Sequence, residues 1–133
     1  MSGRGDDAGN VILVADDDGD ILEYVKLRLE LAGYGVLTAS TGEEALTLAL
    51  EHRPDLAVLD LVMPKMSGME LIRRIREEPS VSTMPLIVLS AHVGQWDVER
   101  ALEAGADYYL SKPFTDPADL LAQVEEALKQ ARG

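Results

Sequence analysis

The sequence predicts a single α/β domain in which helices cover both faces of a five-stranded parallel sheet. Two observations favour this fold class. Short apolar runs recur along the 133 residues, and the stretches between them are of helix length and carry helix start and stop signals. Consecutive parallel strands need a right-handed crossover, which places each connecting helix on a face of the sheet. A chain of this length suits one domain with one sound core.

The five predicted strands are short and mainly apolar, which is typical of strands buried on both faces of a parallel sheet. In chain order they lie near residues 11–15, 35–39, 56–60, 86–90 and 107–110. Prolines mark the approach to two of them. Pro54 ends the segment before the third strand, and Pro79 and Pro85 bracket the approach to the fourth.

The five predicted helices are supported by capping residues, stops or an apolar stripe. They lie near residues 19–32, 42–52, 68–77, 95–104 and 117–131. Asp18 is a suitable N-cap for the first helix and Gly33 a suitable stop. Thr41 can cap the second helix, with Glu44 at capping-box spacing, and Gly105 ends the fourth. The last helix carries one apolar stripe, formed by Leu120, Val124, Ala127, Leu128 and Ala131.

The composition argues against several classes of protein. The net charge of −12 argues against direct binding to nucleic acid, since phosphate contacts need clustered Lys and Arg. No apolar stretch is long enough to span a membrane and the N-terminus lacks the order of a signal peptide, so we expect a cytoplasmic protein without membrane insertion. Because the chain has no cysteine, neither disulfides nor thiolate–metal chemistry is available.

The chain divides into a tail and one domain. Residues 1–10 are small and polar, and they predict a mobile N-terminal tail. Residues 11–131 hold the five strand–helix units. Nothing in the sequence is left over for an output domain.

Four of the predicted strands lead into polar residues that can carry chemistry. They are Asp16, Asp17 and Asp18 after the first strand, Asp60 at the end of the third, Ser90 at the end of the fourth, and Lys112 after the fifth. The carboxyl ends of parallel strands form the crevice where ligands bind in open α/β sheets. Neighbouring carboxylates repel each other unless a cation neutralises them, and oxygen ligands with room for water suit Mg²⁺. We therefore expect a site for Mg²⁺ and a phosphoryl group, with Asp18 acting as a helix cap.

The acidic run also imitates two other kinds of site. An EF-hand loop needs glycine at its sixth position and glutamate at its twelfth, where this chain has Ile21 and Leu27. The run from Asp16 to Gly19 resembles the opening of haloacid-dehalogenase-type phosphatases, although Asp20 departs from that pattern and the chain is short. A small Mg²⁺-dependent phosphatase with Asp16 as its nucleophile stays open as the enzyme alternative.

Four segments together carry a resemblance to a known family. They are Val11–Asp18, Asp55–Gly68, Leu89–Ala91 and Gly105–Phe114. In order and spacing they closely resemble the response-regulator receiver domain (CheY-like) of two-component signalling, over roughly residues 10–131. The resemblance implies a flavodoxin-like (βα)5 fold with strand order 2-1-3-4-5. It also implies a phosphorelay signalling protein, not an enzyme, which catalyses only its own phosphotransfer and slow dephosphorylation.

The resemblance assigns a role to each acidic residue at the strand ends. Asp60 is implied to be the phosphoacceptor, which receives a phosphoryl group from a phosphohistidine. Asp17 and Asp60 are implied to bind Mg²⁺ directly, and Asp16 through a water molecule. The backbone carbonyl of Val62 is implied to be a further metal ligand.

The remaining implied roles concern the phosphoryl group and its consequences. Ser90 and Lys112 are implied to contact phosphoryl oxygens, and Tyr109 matches the switch aromatic of the family. Movement of Ser90 and Tyr109 then changes the face formed by the fourth helix, the fifth strand and the fifth helix. The implied partners are a histidine kinase or histidine phosphotransfer protein, and a downstream protein that binds in response to phosphorylation. A docking module that needs no phosphorylation is a further alternative.

Overall fold

Strands and helices alternate along the whole described chain. The computed structural model describes residues 10–91, 94–111 and 117–132. The strands are β1 (Val11–Ala15), β2 (Gly35–Ala39), β3 (Leu56–Leu59), β4 (Leu86–Ser90) and β5 (Tyr108–Ser111). The helices are α1 (Gly19–Leu31), α2 (Gly42–His52), α3 (Gly68–Glu77), α4 (Gln95–Ala104) and α5 (Pro117–Arg132).

The five strands form one parallel sheet in the order β2-β1-β3-β4-β5. The predicted fold class and strand order are both confirmed. In the register of the central pair, Ile12 lies opposite Leu56 and Ala15 lies opposite Leu59. Because β1 and β3 end level with each other, the residues that follow them emerge side by side at the carboxyl edge of the sheet.

Alternate residues of the strands face two separate apolar layers, because successive side chains of a strand point to opposite faces. One layer is covered by α1 and α5, and its central strand residues are Ile12, Val14, Leu56, Val58, Ile87 and Leu89. The other is covered by α2, α3 and α4, and its central strand residues are Leu13, Ala15, Ala57, Leu59, Leu86 and Val88. The sheet is thus buried on both faces, as the continuous apolar runs predict.

The predicted helix caps are present. The Asp18 carboxylate accepts a hydrogen bond from the backbone N–H of Asp20 at 3.0 Å, so this residue caps α1. The Thr41 hydroxyl accepts from the backbone N–H of Glu44 at 3.0 Å. The Glu44 carboxylate accepts in return from the N–H of Ser40 at 3.0 Å, one residue before the cap. The reciprocal pair at the start of α2 is therefore one residue wider than the capping box that the spacing predicts.

Several predicted boundaries differ from the structure. The bounds of β3 and β5 differ from the predicted ones by one residue, which is the usual uncertainty of element ends. Asn10, assigned above to a mobile tail, is buried, and its carbonyl accepts a hydrogen bond from the N–H of Gly35 at 2.9 Å. Ala131, placed above on the apolar stripe of the last helix, is exposed. Within the described ranges, no helix combines the length and apolar character needed to cross a bilayer.

Candidate functional site

The carboxyl ends of β1, β3 and β4 bring three of the predicted site residues to one edge of the sheet. Asp16 and Asp60 follow two paired strands, and the backbone N–H of Asp60 donates to the carbonyl of Ala15 at 2.9 Å. Ser90 is the last residue of β4, which pairs with β3 on its other side. Adjacent parallel strands therefore position these side chains, as the positions of the polar residues at the strand ends predict.

Three carboxylates form a compact group, which we call the acidic cluster: Asp16, Asp17 and Asp60. One carboxylate oxygen from each lies within 4.8 Å of the others. Asp16 and Asp60 are 3% and 7% exposed, whereas Asp17 is exposed to solvent. Like charges this close are unfavourable without a cation, and an oxygen-only donor set with one open side suits Mg²⁺ and its retained waters. The residues of the acidic cluster thus fit a magnesium ion.

The third aspartate of the run is not part of the acidic cluster. The Asp18 side chain accepts hydrogen bonds at the N-terminus of α1, from Asp20 at 3.0 Å and from Ile21 at 3.3 Å. Its own N–H donates to the Asp16 carboxylate at 2.9 Å, which fixes one oxygen of that group. The run of three aspartates therefore divides into two cluster residues and one helix cap.

Ser90 and Tyr109 form a contact between the buried site and the neighbouring strand. Ser90 is fully buried, and its side chain is hydrogen-bonded to that of Tyr109 on β5. Burial raises the pKa of the Tyr109 hydroxyl above its ordinary value of 10.0. The hydrogen bond to Ser90 lowers that pKa, while the negative charges of Asp97 and Asp60 raise it further. The phenol of Tyr109 is therefore neutral at physiological pH, and its pKa depends on the charge of Asp60.

The segment from Asp60 to Ser67, which we call the β3–α3 loop, carries the predicted ligand residue Val62 with its side chain exposed. The loop contains a tight turn. The N–H of Met66 donates to the carbonyl of Pro64 at 2.8 Å, and Lys65 between them has a φ of 71°. This pattern is a γ-turn, whose positive φ is strained for a residue with a side chain.

Two glycines lie at close-packed contacts of the β3–α3 loop, and both approach backbone atoms closely. A Cβ on Gly68 would lie 2.2 Å from the carbonyl oxygen of Asp60, and the N–H of Gly68 donates to the carbonyl of Leu61 at 2.8 Å. A Cβ on Gly42, the first residue of α2, would lie 2.1 Å from the carbonyl oxygen of Met66. Neither contact has a signal in the sequence, because no local pattern shows which backbone the start of a helix will meet. Lys112 lies outside the described residues.

Comparison with known proteins points to one family. A family model described as the response regulator receiver domain matches residues 12–125. The alkaline phosphatase synthesis transcriptional regulatory protein PhoP of Bacillus subtilis is 40% identical over 120 residues, which are 90% of this chain and 49% of that protein. The chain spans about half the length of the curated relatives that it matches.

Solved structures agree with this relationship. A putative response regulator from Chloroflexus aurantiacus superposes with a TM-score of 0.86 at 36% identity, covering 90% of this chain and 98% of that one. The receiver domain of the sensor histidine kinase PA1611 from Pseudomonas aeruginosa superposes with a TM-score of 0.84 at 29% identity, with the same coverage of 90% and 98%. That structure is described with a magnesium ion coordinated in its active-site cleft.

Proposed function

The chain belongs to the response regulator receiver domain family of two-component signalling, and from this membership we propose that it is a phosphorylatable switch with Asp60 as its phosphoacceptor. Receiver domains are signalling modules. The observation that carries the proposal is the acidic cluster at the carboxyl edge of β1 and β3, next to the buried hydroxyl of Ser90. The receiver domain corresponds to residues 11–131.

The proposed reaction is transfer of a phosphoryl group from a phosphohistidine to a carboxylate. An oxygen of Asp60 attacks phosphorus, the phosphorus–nitrogen bond breaks, and the imidazole leaves and takes up a proton. The product is an acyl phosphate on Asp60. Nucleophile and donor are both anionic, so charge must be neutralised as the equatorial oxygens approach the cluster.

The acidic cluster contributes to this neutralisation by holding a cation. Asp17 and Asp60 would bind a magnesium ion directly, together with the carbonyl of Val62, and Asp16 would bind it through a water molecule. The fit of the three carboxylates to that ion supports this assignment. When bound, Mg²⁺ supplies the positive charge that screens the phosphoryl oxygens from the carboxylates. The ammonium group of Lys112 is proposed to pair with a further phosphoryl oxygen.

The output of the switch is proposed to pass through Ser90 and Tyr109. A phosphoryl oxygen on Asp60 offers the Ser90 hydroxyl a charged acceptor, which competes with its present hydrogen bond to Tyr109. Release of Tyr109 alters the face made of α4, β5 and α5, where a downstream protein binds. This is a two-state element biased by a local change of charge.

The proposed partners follow from this chemistry. The phosphodonor is a histidine kinase or a histidine phosphotransfer protein. The downstream partner is a protein that binds the face made of α4, β5 and α5 after Asp60 is phosphorylated. With a net charge of −12, this chain is not proposed to contact nucleic acid itself. A cytoplasmic location stays a prediction from the sequence.

Labelling with a small phosphodonor tests the assignment of Asp60. We expect the wild-type protein, incubated with Mg²⁺ and acetyl phosphate, to form an acid-stable, base-labile acyl phosphate, and we expect EDTA to prevent it. Asp60→Asn should abolish the label because no carboxylate remains to attack. Asp18→Asn is the matched control and should keep the label, since Asp18 caps α1 and asparagine caps equally well.

The alternatives give different results in the same experiment. Label that persists in Asp60→Asn would sink the assignment, and label lost only in Asp16→Asn with multiple turnover of phosphoesters would identify the small phosphatase. An unlabelled wild-type protein whose partner binding is unchanged in Asp60→Ala would identify the docking module.

A further inference from the structure

We propose that Gly42, the first residue of α2, is a positioning residue for the magnesium site, because only glycine at this position lets the β3–α3 loop close against α2. The proposal rests on the function proposed above. Gly42 lies on a different element from every residue of the acidic cluster, and it contacts the loop that carries Asp60 and Val62.

The contact between Gly42 and the loop leaves no room for a side chain. A Cβ on Gly42 would lie 2.1 Å from the carbonyl oxygen of Met66, 2.8 Å from its Cβ and 2.9 Å from its carbonyl carbon. Non-bonded atoms prefer separations of about 3.5–4.0 Å. Two of these three atoms are backbone, so no change of rotamer relieves the overlap. Either α2 or the β3–α3 loop has to move if Gly42 carries a side chain.

Helix α2 is held in place by its packing. Leu46 and Leu48 of α2 pack against the apolar layer that covers this face of the sheet. Along its buried face, Ala45 and Ala49 are fully buried in the layer that covers the sheet. Close-packed interiors resist displacement of whole elements. The β3–α3 loop is therefore the part that moves.

The loop transmits the movement because its outer part is stiff. The hydrogen bond from the N–H of Met66 to the carbonyl of Pro64, at 2.8 Å, closes the γ-turn around Lys65. The turn is already strained, with a φ of 71° at Lys65, so it cannot absorb a further shift cheaply. A push on Met66 therefore moves the turn as a unit.

The inner part of the loop leads directly to the site. Leu61, Val62 and Met63 join the γ-turn to Asp60. Leu61 and Met63 are buried in the apolar layer, whereas the side chain of Val62 is exposed. The hydrogen bond from the N–H of Gly68 to the carbonyl of Leu61, at 2.8 Å, ties the two ends of the loop together. With its ends tied, the displacement falls on the segment between them, which includes the carbonyl of Val62. Loss of the outer contacts that orient a metal ligand typically costs about 10- to 100-fold in metal affinity.

The chain contains a matched control for this contact. Gly19 is the first residue of α1, follows a side-chain N-cap as Gly42 does, and also lies near the carboxyl edge of the sheet. A Cβ on Gly19 would meet nothing within 4 Å. Gly19→Ala and Gly42→Ala are therefore the same substitution at the same helical position, and they differ in whether a loop is pushed.

The test compares Mg²⁺ affinity with metal-free stability for the wild-type protein, Gly42→Ala and Gly19→Ala. We expect calorimetric titration to show Mg²⁺ binding weakened by about tenfold or more in Gly42→Ala, which is the scale of losing an outer contact that orients a metal ligand. Half-maximal labelling of Asp60 should shift to higher Mg²⁺ by the same factor. In Gly19→Ala the affinity should stay within about twofold of wild type. Met66→Ala keeps the backbone and Cβ that Gly42 contacts, so it too should retain its affinity.

Three outcomes would overturn the proposal. A Gly42→Ala protein with lower melting temperature in EDTA but wild-type Mg²⁺ affinity would show that the contact is only structural. A variant that does not fold without metal would show that the contact supports the whole domain instead of the site. Equal weakening in Gly19→Ala or Met66→Ala would remove the specific role of Gly42. Failure of the wild-type protein to label at Asp60 would instead refute the proposed function.

Discussion

Tyr109 links the buried site to the surface through one side chain. Its hydroxyl is hydrogen-bonded to the fully buried Ser90, while its ring is only partly buried on β5. The negative charge of Asp60 already raises the pKa of this hydroxyl. In the proposed acyl phosphate, the group on Asp60 would carry roughly 1.5 to 2 negative charges in place of the single charge of the carboxylate, so it would act on Tyr109 in the same direction. The tyrosine would therefore remain a neutral hydrogen-bonding group in both states of the proposed switch.

The raised pKa of Tyr109 gives the protein a dependence on alkaline pH. Since the unfolded chain loses this proton at a lower pH than the folded one, the stability it contributes is fully present below pH 10.0 and is lost as the pH rises through the folded pKa. We expect Tyr109→Phe to lose less stability than the wild-type protein between about pH 8 and about pH 11, as followed by urea unfolding. Tyr108→Phe is the control on the same strand, and an equal effect in both variants would contradict the assignment.

At the scale of residues, the sequence predicts the acidic cluster but not its supports. Asp16 and Asp60 could be placed together because both follow apolar runs, and the ends of parallel strands meet at one edge. The close contacts of the β3–α3 loop at Gly42 and Gly68 could not be predicted. Each depends on how closely two backbones approach, and that distance has no local signature in the sequence.

One arginine joins three segments on the α3 side of the sheet. The guanidinium of Arg76, on α3, donates to the carbonyl of Gly105 at 3.0 and 2.7 Å. It also donates to the carbonyls of Ser82 at 2.9 Å and Met84 at 2.7 Å, in the segment before β4. A further bond of 3.0 Å reaches the carboxylate of Asp107, just before β5. Arg76 thus satisfies backbone carbonyls that the ends of the surrounding elements leave unpaired.

Removal of Arg76 should weaken the whole domain. We expect Arg76→Ala to lower the free energy of unfolding by roughly 2–4 kcal/mol, because several charge-assisted bonds are lost and their carbonyls stay partly buried. Arg74 on the same helix forms one exposed ion pair with Glu70 at 3.5 Å, where both side chains are about half exposed. Arg74→Ala should therefore cost less than about 1 kcal/mol. Denaturant titrations that give equal losses for the two variants would contradict the role of Arg76.

At the scale of elements, the helix starts were predictable and the hydrogen bonds of Arg76 between elements were not. Asp18 and Thr41 indicate where their helices begin, because a capping side chain acts within three residues of its own position. Arg76 bonds to Gly105 across 29 positions of sequence, on an element whose exposed face looks uniformly charged in the sequence. A long-range bond of this kind follows from the packing of the elements and not from their own pattern.

The acidic cluster exists only in the folded molecule. Asp16 and Asp60 belong to strands that pair after folding, so the unfolded chain offers no such group of oxygens. A ligand that binds only the folded state stabilises it by mass action. The stability of the whole molecule should therefore depend on the concentration of Mg²⁺.

Thermal unfolding at increasing Mg²⁺ concentrations checks this dependence. At a concentration of 100 times Kd, the gain should approach about 2.7 kcal/mol, and EDTA should remove it. Asp17→Asn should abolish most of the gain, because the charged carboxylate of Asp17 is proposed to bind the ion directly. Any salt also screens the repulsion between the charges of a chain with a net charge of −12, which can itself change stability. NaCl at matched ionic strength is therefore the necessary comparison. Equal stabilisation by NaCl would refute specific binding.

At the scale of the whole molecule, the fold was almost fully predictable. Regular alternation of apolar runs and helix-length segments leaves few topologies once crossovers are right-handed. The strand order came from the resemblance of four segments to the receiver family, since alternation alone does not say which strand is central. The burial of Asn10 was missed because a polar residue before the first strand gives no sign that its carbonyl pairs with β2.

The level ends of β1 and β3 also bear on how the protein is made. During synthesis Asp16 and Asp17 leave the ribosome before Asp60, and β1 has only β2 to pair with until β3 arrives. Pairing of β1 with β3 must close a long loop, which is an entropically costly and slow step in folding. The same event completes the centre of the sheet and assembles the acidic cluster. A nascent or misfolded chain therefore lacks the assembled carboxylates, so metal competence can serve as a reporter of completed folding.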